Sequence, residues 1–250
     1  MRRLPALLAA LCLLTAALSG CGAAKDESSE RVPVPKPTPA PERPASVQDP
    51  LYQFSEPNEG DMIATLDTDF GEIVIRLFPE IAPIACENFR VLSEDGSYDN
   101  MKFHRVIKGF MIQSGRFNWR GGESAYGEPF EDEPSGELWN FRGALCMAHA
   151  KEPDSNESQW YIVKTAVEDM TPETIESLRS ADDTHPDAVR EKYLEAGGAP
   201  WLDGDFTVFG QVLSGMDVVD RISAVKTDQN DRPLEDVLIR SVTIGAYHAD

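Results

Sequence analysis

The chain has 250 residues, of which 41% are hydrophobic, and carries a formal net charge of −20 at pH 7. So acidic a chain argues against nucleic acid and anionic lipid headgroups as ligands, and it favours solubility and basic or neutral polypeptide partners. The length suffices for one folded domain with a sizeable core, which we place at residues 61–250.

The N-terminus has the pattern of a secretion signal. Two arginines precede an apolar run over residues 4–18, which is too short to span a membrane. Residues 18–21, Leu-Ser-Gly-Cys, resemble the lipobox of bacterial lipoproteins, whose cysteine is lipidated and becomes the first mature residue. This implies a signal peptide over residues 1–20 and a lipid anchor at Cys21 in the bacterial cell envelope, on the extracytoplasmic side. A plain secreted protein is the alternative.

Residues 21–60 would link the anchor to the domain. They are rich in Pro, Ser, Ala and charged residues, with proline at every second position from Pro33 to Pro41. Such a composition buries too little apolar surface to fold and favours an extended polyproline conformation. We therefore predict a tether whose residues 22–50 span at most about 90 Å, at about 3.1 Å per residue. A ligand for a proline-recognition domain is the alternative.

Short strands dominate the predicted secondary structure. Residues 62–68 and 72–78 flank Asp69-Phe70-Gly71 and predict a β-hairpin. Pro83 marks a helix start, and the helix should end near Gly96. Further strands are predicted within residues 103–115 and at 143–149, 159–164, 207–213 and 237–244, with a second short helix at 216–222. This pattern predicts an all-β-dominated fold, a closed antiparallel barrel with two helices over its ends.

The cysteines show no pairing pattern. Cys12 leaves with the signal, Cys86 falls on a predicted helix and Cys146 on a predicted strand, and neither has the neighbours of a metal or redox pair. Two buried thiols and a disulfide both remain open.

Residues 103–115, Phe-His-Arg-Val-Ile-Lys-Gly-Phe-Met-Ile-Gln-Ser-Gly, set one cation among apolar side chains. Strand alternation predicts Phe103, Arg105 and Ile107 on one face, with a partly buried guanidinium beside an apolar slot. Because arginine keeps its proton, it suits electrostatic action on a substrate without proton transfer. Taken alone, the same residues also fit a surface ion pair above ordinary core.

This string closely resembles the signature of the cyclophilins, the peptidyl-prolyl cis-trans isomerases. The resemblance covers residues 63–164 and 201–244, with supporting strings at residues 82–89, 126–133, 145–150, 158–159 and 201–210. It implies a closed eight-stranded cyclophilin-like barrel and catalysed rotation of X-Pro bonds in proline-containing polypeptides. It also implies that no cofactor or metal is needed, because a polarised prolyl nitrogen is sufficient to lower the rotation barrier.

The resemblance further implies the site. Arg105, Gln113 and Phe110 would be catalytic, with Arg105 donating toward the prolyl nitrogen of the twisted amide. The apolar slot for the proline ring would be lined by Phe110, Met111, Tyr161, Leu202 and Phe206. The peptide would be held by Gln113, Gln159 and the backbone at Ala148 and His149, with Trp201 at the rim, where the family binds cyclosporin-type cyclic peptides.

Three positions depart from the family. Tyr161 stands where the family has Phe, His149 where it has Asn and Phe206 where it often has His. A buried Tyr161 hydroxyl without a partner costs about 1–3 kcal/mol, and His149 is a candidate partner. The changes at Tyr161 and His149 are the support for an alternative function, a cyclophilin-like proline-peptide binding module or chaperone with little turnover.

Residues 165–200 form an insertion before the rim residues. Pro172 and Pro186 mark two helix starts, and Gly197 marks the end of the second helix. The insertion is either a lid that selects substrates at the slot or a subdomain packed against the side of the barrel.

We therefore expect a monomeric, lipid-anchored isomerase that assists the folding of exported proteins. A structural envelope lipoprotein leaves Arg105 and its neighbours unexplained, and no nucleophile occurs in the sequence context of a hydrolase.

Overall fold

The structure, a computed structural model, describes residues 33–37, 49–115, 123–149 and 152–249. These residues belong to one compact unit, residues 32–250. The predicted signal peptide and Cys21 lie outside the described residues, as does most of the predicted tether. Among the described helices, none combines the length and the apolar character that crossing a membrane requires.

Within these ranges the chain forms nine strands and four α-helices. The strands are β1 (Met62–Thr68), β2 (Gly71–Leu77), β3 (Met101–Lys102), β4 (Arg105–Ile107), β5 (Met111–Ser114), β6 (Ala144–Met147), β7 (Trp160–Val163), β8 (Val208–Ser214) and β9 (Leu238–Ala246). The helices are α1 (Pro83–Glu94), α2 (Pro172–Arg179), α3 (Asp187–Ala196) and α4 (Met216–Ser223). The predicted hairpin, helix starts and later strands all occur within about two residues of their expected places, which is the usual uncertainty of element boundaries.

The strands form one curled antiparallel sheet in the order β3-β9-β1-β2-β8-β6-β7-β5-β4. Its two edge strands, β3 and β4, are consecutive in the chain and separated by Phe103 and His104. No ladder joins β3 to β4 among the described strands, so the sheet is a half-barrel, and the predicted closed eight-stranded barrel is not confirmed. The ninth strand is β3, a two-residue strand that lies before the strands predicted within residues 103–115.

The break between β3 and β4 also changes which residues share a face of the sheet. Phe103 is 1% exposed and lies in the main core, whereas Arg105 is exposed on the opposite side. Ile107 packs against a second apolar cluster, which lies beneath the candidate site. Arg105 and Ile107, two residues apart on β4, therefore share a face as predicted, whereas Phe103 does not, because alternation does not continue through the break between β3 and β4.

The main core lies between the sheet and the helices α1 and α4. Its centre is Trp160, whose ring meets those of Phe89, Tyr98 and Phe103 at centroid distances of 5.9, 6.2 and 6.1 Å. All three contacts are edge-on, which is a favoured arrangement of aromatic rings. Cys86 and Cys146 are both buried and free, so the disulfide left open by the sequence does not form.

The folded unit starts before residue 61, where the sequence placed its boundary. A 3₁₀ turn at Tyr52–Phe54 buries Tyr52 and Gln53. The Gln53 amide donates to Gln211 Oε1 at 2.7 Å and accepts from the Trp139 backbone at 2.9 Å. This buried turn was not predicted, because prolines and charged residues surround it in the sequence.

Part of the predicted tether also packs on the folded unit. Val34 N donates to Ala125 O at 3.0 Å, and Lys36 Nζ lies 2.9 Å from Glu131 Oε2. Pro33 fits against Gly127, where a Cβ atom would come within 2.8 Å of the proline ring. Residues 33–37 are therefore docked on the folded unit, in contrast to the free tether that the composition predicted.

The insertion contains the two predicted helices, α2 and α3. The N-cap of α2 is Thr171, which accepts from Thr174 N, and Gly197 ends α3 with φ of 88°. A third apolar cluster packs these helices against Phe141, which lies outside the insertion. Its other members, from the insertion itself, are Met170, Leu178, Val189 and Tyr193.

Candidate active site

A cavity of about 230 Å³ opens at the surface beside β4, β5 and β7. Below it is called the slot. It is lined by Arg105, Phe110, Met111, Gln113, Ala148, His149, Tyr161, Leu202 and Phe206. These nine residues are all among the eleven predicted around the proline ring, and the other two, Gln159 and Trp201, lie next to the slot.

Strand register explains why residues far apart in sequence meet here. Arg105 on β4 pairs with Gln113 on β5, and Gln113 pairs with Tyr161 on β7. Directly paired residues project to the same face of a sheet, at a spacing of about 5 Å per strand. The cation, the amide and the aromatic ring therefore form one row across the slot.

Arg105 stands at the end of this row, and 47% of its side chain is accessible, so it is partly buried as expected. Its Nε lies 3.6 Å from Asp231 Oδ2. Asp231 adopts a left-handed conformation with φ of 62°, and its carbonyl accepts from Val106 N at 2.8 Å. Asp231 thus contacts the guanidinium at Nε, and its other two nitrogens are available to a ligand.

Two glutamines lie beside Arg105. Gln113 Nε2 donates to Gln159 Oε1 at 3.0 Å. Both also line a larger open groove of about 740 Å³ that runs from Arg105 toward residues 230–236. His104 lines the same groove, and burial lowers its pKa. This groove gives an extended peptide a path away from the slot.

The floor of the slot carries the unexpected hydroxyl of Tyr161. This side chain is 5% exposed, and its hydroxyl donates to Asn140 Oδ1 at 3.2 Å. Burial raises the pKa of Tyr161, so the hydroxyl stays protonated. The predicted partner His149 instead stacks on Phe206 at 4.4 Å, with its Nε2 3.0 Å from Asp205 O.

The rim is the segment of residues 200–206, called the rim segment below. It begins with a 3₁₀ turn at Pro200–Leu202, which turns Leu202 toward the slot and leaves Trp201 50% exposed. The Trp201 ring lies 5.7 Å from that of Phe110. An exposed aromatic ring beside an apolar cavity is a suitable contact for a peptide ligand.

No residue of the insertion is among those that line the slot. The insertion meets the rim segment from its outer side, where α2, His185, Pro200 and Trp201 enclose a separate cavity of about 160 Å³. It is therefore not a wall of the slot, and its contact with the site is indirect.

Sequence reasoning missed Asn140, Asp203 and Asp231. Asp203 lies within the string Trp-Leu-Asp-Gly that supported the resemblance, but no role was predicted for its side chain. Asn140 and Asp231 belong to no string that was singled out. Among the described residues, no group of three or more His, Cys, Asp or Glu side chains is arranged to hold a metal ion.

Comparison with known proteins gives one consistent result. The model of the family "cyclophilin type peptidyl-prolyl cis-trans isomerase/CLD" matches residues 63–244. A protein of Staphylococcus saprophyticus is 41% identical over 192 residues, which cover 76% of this chain and 95% of the relative. A Staphylococcus aureus protein is 40% identical over 191 residues, covering 76% and 94%. Both are named "Putative peptidyl-prolyl cis-trans isomerase".

Solved structures agree. A crystal structure of a cyclophilin type peptidyl-prolyl cis-trans isomerase from Cryptosporidium parvum aligns with a TM-score of 0.58 at 29% identity, covering 76% of this chain and 99% of that chain. A second crystal structure from the same organism, determined in the presence of the dipeptide Ala-Pro, gives 0.57 at 29% identity, with coverages of 75% and 99%.

Proposed function

The chain belongs to the cyclophilin-type peptidyl-prolyl cis-trans isomerases, and from this we propose that it rotates X-Pro bonds in exported proteins while anchored to a membrane through Cys21. The observation that carries the assignment to this site is the row of Arg105, Gln113 and Tyr161 beside an apolar slot. The solved cyclophilin with Ala-Pro supports proline-containing peptides as the substrate class.

The rate of X-Pro rotation is limited by amide resonance, with a barrier of about 18–20 kcal/mol. When the bond twists, the nitrogen lone pair is no longer delocalised and accepts a hydrogen bond. Arg105 would donate to that nitrogen, which stabilises the twisted state more than either planar isomer. The guanidinium needs no proton transfer for this role, since it remains protonated throughout.

The other slot residues would hold the substrate while one side turns. Phe110, Met111 and Leu202 offer an apolar cavity that suits a proline ring and excludes water. The side chains of Gln113 and Gln159, together with the backbone near Ala148, offer the polar contacts for the flanking residues. The larger groove beside Arg105 would receive the continuing chain.

The alternative of a binding module with little turnover rested on the changes at Tyr161 and His149, of which the Tyr161 hydroxyl lies in the floor of the slot. Because that hydroxyl is paired with Asn140, it imposes no unsatisfied polar group on the slot. The ring of Tyr161 still faces the cavity and meets Phe206 edge-on at 6.0 Å. The slot thus retains an aromatic floor, which favours the enzyme over the binding module.

Action on exported chains is tested by a refolding assay. An unfolded protein whose refolding is limited by X-Pro isomerisation recovers in tens of seconds or longer without a catalyst. Residues 22–250 of this chain contain the whole compact unit and should accelerate that slow phase at catalytic concentrations. Acceleration of short peptides but not of the protein would restrict the function to peptide substrates.

The anchor is tested by Cys21→Ser in the full-length chain. The lipid is expected on the sulfur of Cys21, so the variant should move from the membrane to the soluble extracytoplasmic fraction and lose incorporation of labelled fatty acid. A variant that stays on the membrane with the lipid label would place the anchor elsewhere. Monomeric behaviour is checked on the same samples by sedimentation.

A further inference from the structure

The carboxylate of Asp203 joins three parts of the molecule. Its Oδ1 accepts from the backbone N and the Nδ2 of Asn140, both at 2.8 Å. Its Oδ2 accepts from the Tyr193 hydroxyl at 2.6 Å and lies 3.0 Å from His185 Nε2. The Asp203 side chain is 6% exposed, and a carboxylate so buried is retained only when it is well paired. These four residues are called the Asp203 network below.

His185 contributes a second feature of this network. Its Nδ1 lies 2.7 Å from Asp183 Oδ1, while its Nε2 faces Asp203. A neutral imidazole donates from only one nitrogen, so contact with a carboxylate at both nitrogens requires the doubly protonated imidazolium. In agreement, the hydrogen bonds to Asp203 and Asp183 raise the pKa of His185.

Apart from Asp183 and Asp203, no charged group is among the described contacts of His185. Tyr193 of α3 and the ring of Trp139 face it at centroid distances of 6.0 and 5.3 Å. Helix α2 contributes Thr174, Ser177 and Leu178 to the adjoining cavity, and these side chains do not titrate near neutral pH. Its charge state is therefore governed by the two aspartates.

The Asp203 network reaches the slot by two routes. Asp203 directly follows Trp201 and Leu202, so its side chain fixes the rim segment at the point where that segment lines the slot. Asn140 accepts the hydroxyl of Tyr161 on the same Oδ1 that receives the Cys146 thiol at 3.3 Å. The rim segment and the floor of the slot are thus linked through the Asn140 amide and the Asp203 carboxylate.

We propose that Asp203 is a positioning residue of the slot, and that the His185 imidazolium ties the insertion to it and so holds the rim segment in place for substrate binding. The proposal rests on the proposed isomerase function, because it concerns the same slot. It gives the insertion a role as an outer support of the rim, in place of a lid.

Deprotonation of His185 should loosen this support. The neutral ring retains a donor toward only one aspartate, and its other nitrogen then turns a lone pair toward the second carboxylate. Substrate affinity should fall as pH rises through the pKa of His185, while the rotation step on bound substrate should change little. The expected signature is a rise in KM with a nearly constant kcat.

The test compares four forms of residues 22–250 with a proline tetrapeptide between about pH 5.5 and about pH 8.5, a range that spans histidine titration. The forms are the wild type, His185→Asn, Asp183→Asn and His248→Asn. Wild-type KM should rise about two- to five-fold across this range, the size expected for a weakened part-buried ion pair. His185→Asn should lack this rise, and Asp183→Asn should shift its midpoint to lower pH.

His248→Asn is the matched control, since His248 also pairs with a carboxylate, Glu59, at 2.7 Å. It should keep the wild-type profile. His104 and His149 are present in all forms, so their effects cancel in the comparison. Should His185→Asn fail to fold, as judged by near-ultraviolet circular dichroism, the midpoint shift in Asp183→Asn decides.

A second readout does not depend on turnover. In NMR spectra of the wild type, the Asn140 side-chain amide signals should shift with the same midpoint as the His185 ring. Amide signals that ignore the His185 titration, or a His185→Asn profile equal to the wild type's, would overturn the proposal. Absence of all turnover would refute the isomerase function instead, and the Asn140 signals would still decide whether the network exists.

Discussion

Arg105 and Asp231 lie side by side at the mouth of the slot, with Arg105 Nε 3.6 Å from Asp231 Oδ2. Their side chains are 47% and 42% exposed, so the pair contributes little to stability and acts mainly by limiting the directions that the guanidinium can take. Asp231 also has a backbone role, because its carbonyl accepts from Val106 N on the strand that carries Arg105.

Two substitutions at Asp231 separate these roles. Asparagine adopts the left-handed conformation at φ of 62° readily, so Asp231→Asn should keep the fold and change kcat/KM by less than about three-fold. Valine is strained there, and Asp231→Val should lower the free energy of unfolding by about 1–2 kcal/mol. Urea unfolding and peptide turnover measure both. A large loss of turnover in Asp231→Asn would show that the carboxylate itself is needed.

Tyr161→Phe tests the floor of the slot. The substitution removes the bond to Asn140, whose Oδ1 keeps the contact with Cys146, so the free energy of unfolding should fall by about 0.5–1.5 kcal/mol. The aromatic surface remains, and kcat/KM should stay within about two-fold. Tyr98→Phe is the control, since it deletes an equally buried hydroxyl bond, to Ser158 O at 2.9 Å, in the main core. A gain in turnover of ten-fold or more, about 1.4 kcal/mol, for Tyr161→Phe alone would show that the hydroxyl impairs catalysis.

The pH dependence of stability should reveal His185. Its pKa is raised in the folded state, so its contribution is fully present below the unfolded pKa of about 6.5 and is lost as pH rises through the folded value. His185→Asn should therefore be less stable than the wild type near about pH 5.5, and the difference should shrink toward about pH 9. Thermal unfolding over this range provides the measurement. A difference that grows with pH would contradict the imidazolium assignment.

The docking of residues 33–37 should depend on charge. Lys36→Glu replaces the ion pair with Glu131 by repulsion, and hydrogen exchange at the Val34 amide should become faster. The pair also lowers the pKa of Glu131, so its loss should raise that pKa toward the usual value. Adding Glu131→Lys restores opposite charges and should restore protection. Unchanged exchange in Lys36→Glu would mean that the Val34 and Pro33 contacts suffice.

Sequence predicted the parts of this protein that depend on local patterns. Pro83 starts α1, and its apolar positions Ala85, Phe89 and Leu92 are all buried, because helical periodicity is set within a few residues. The slot residues were found through a resemblance whose strings fix strand register, and register in turn fixes which side chains meet.

Features that depend on distant pairing were not predicted. The contact of Lys36 with Glu131 spans 95 residues, and that of Asn140 with Asp203 spans 63. Glu131 and Asp203 lie in strings that supported the resemblance, but Lys36 and Asn140 do not, and proline-rich composition favoured a free tether around Lys36. The break between β3 and β4 at Phe103 and His104 was not predicted either, because the alternation rule assumes a continuous strand.

The most direct test of the account is cis-to-trans turnover of a proline tetrapeptide by residues 22–250, with Arg105→Ala and Arg240→Ala compared. Arg240 is a matched control, since it is an exposed arginine whose Nε lies 3.2 Å from Asp69 Oδ1 and which lines neither the slot nor the larger groove. The wild type and Arg240→Ala should turn over rapidly, and Arg105→Ala should lose about 10²-fold in kcat/KM with its fold intact. A folded Arg105→Ala chain with wild-type turnover would contradict the electrostatic role of Arg105.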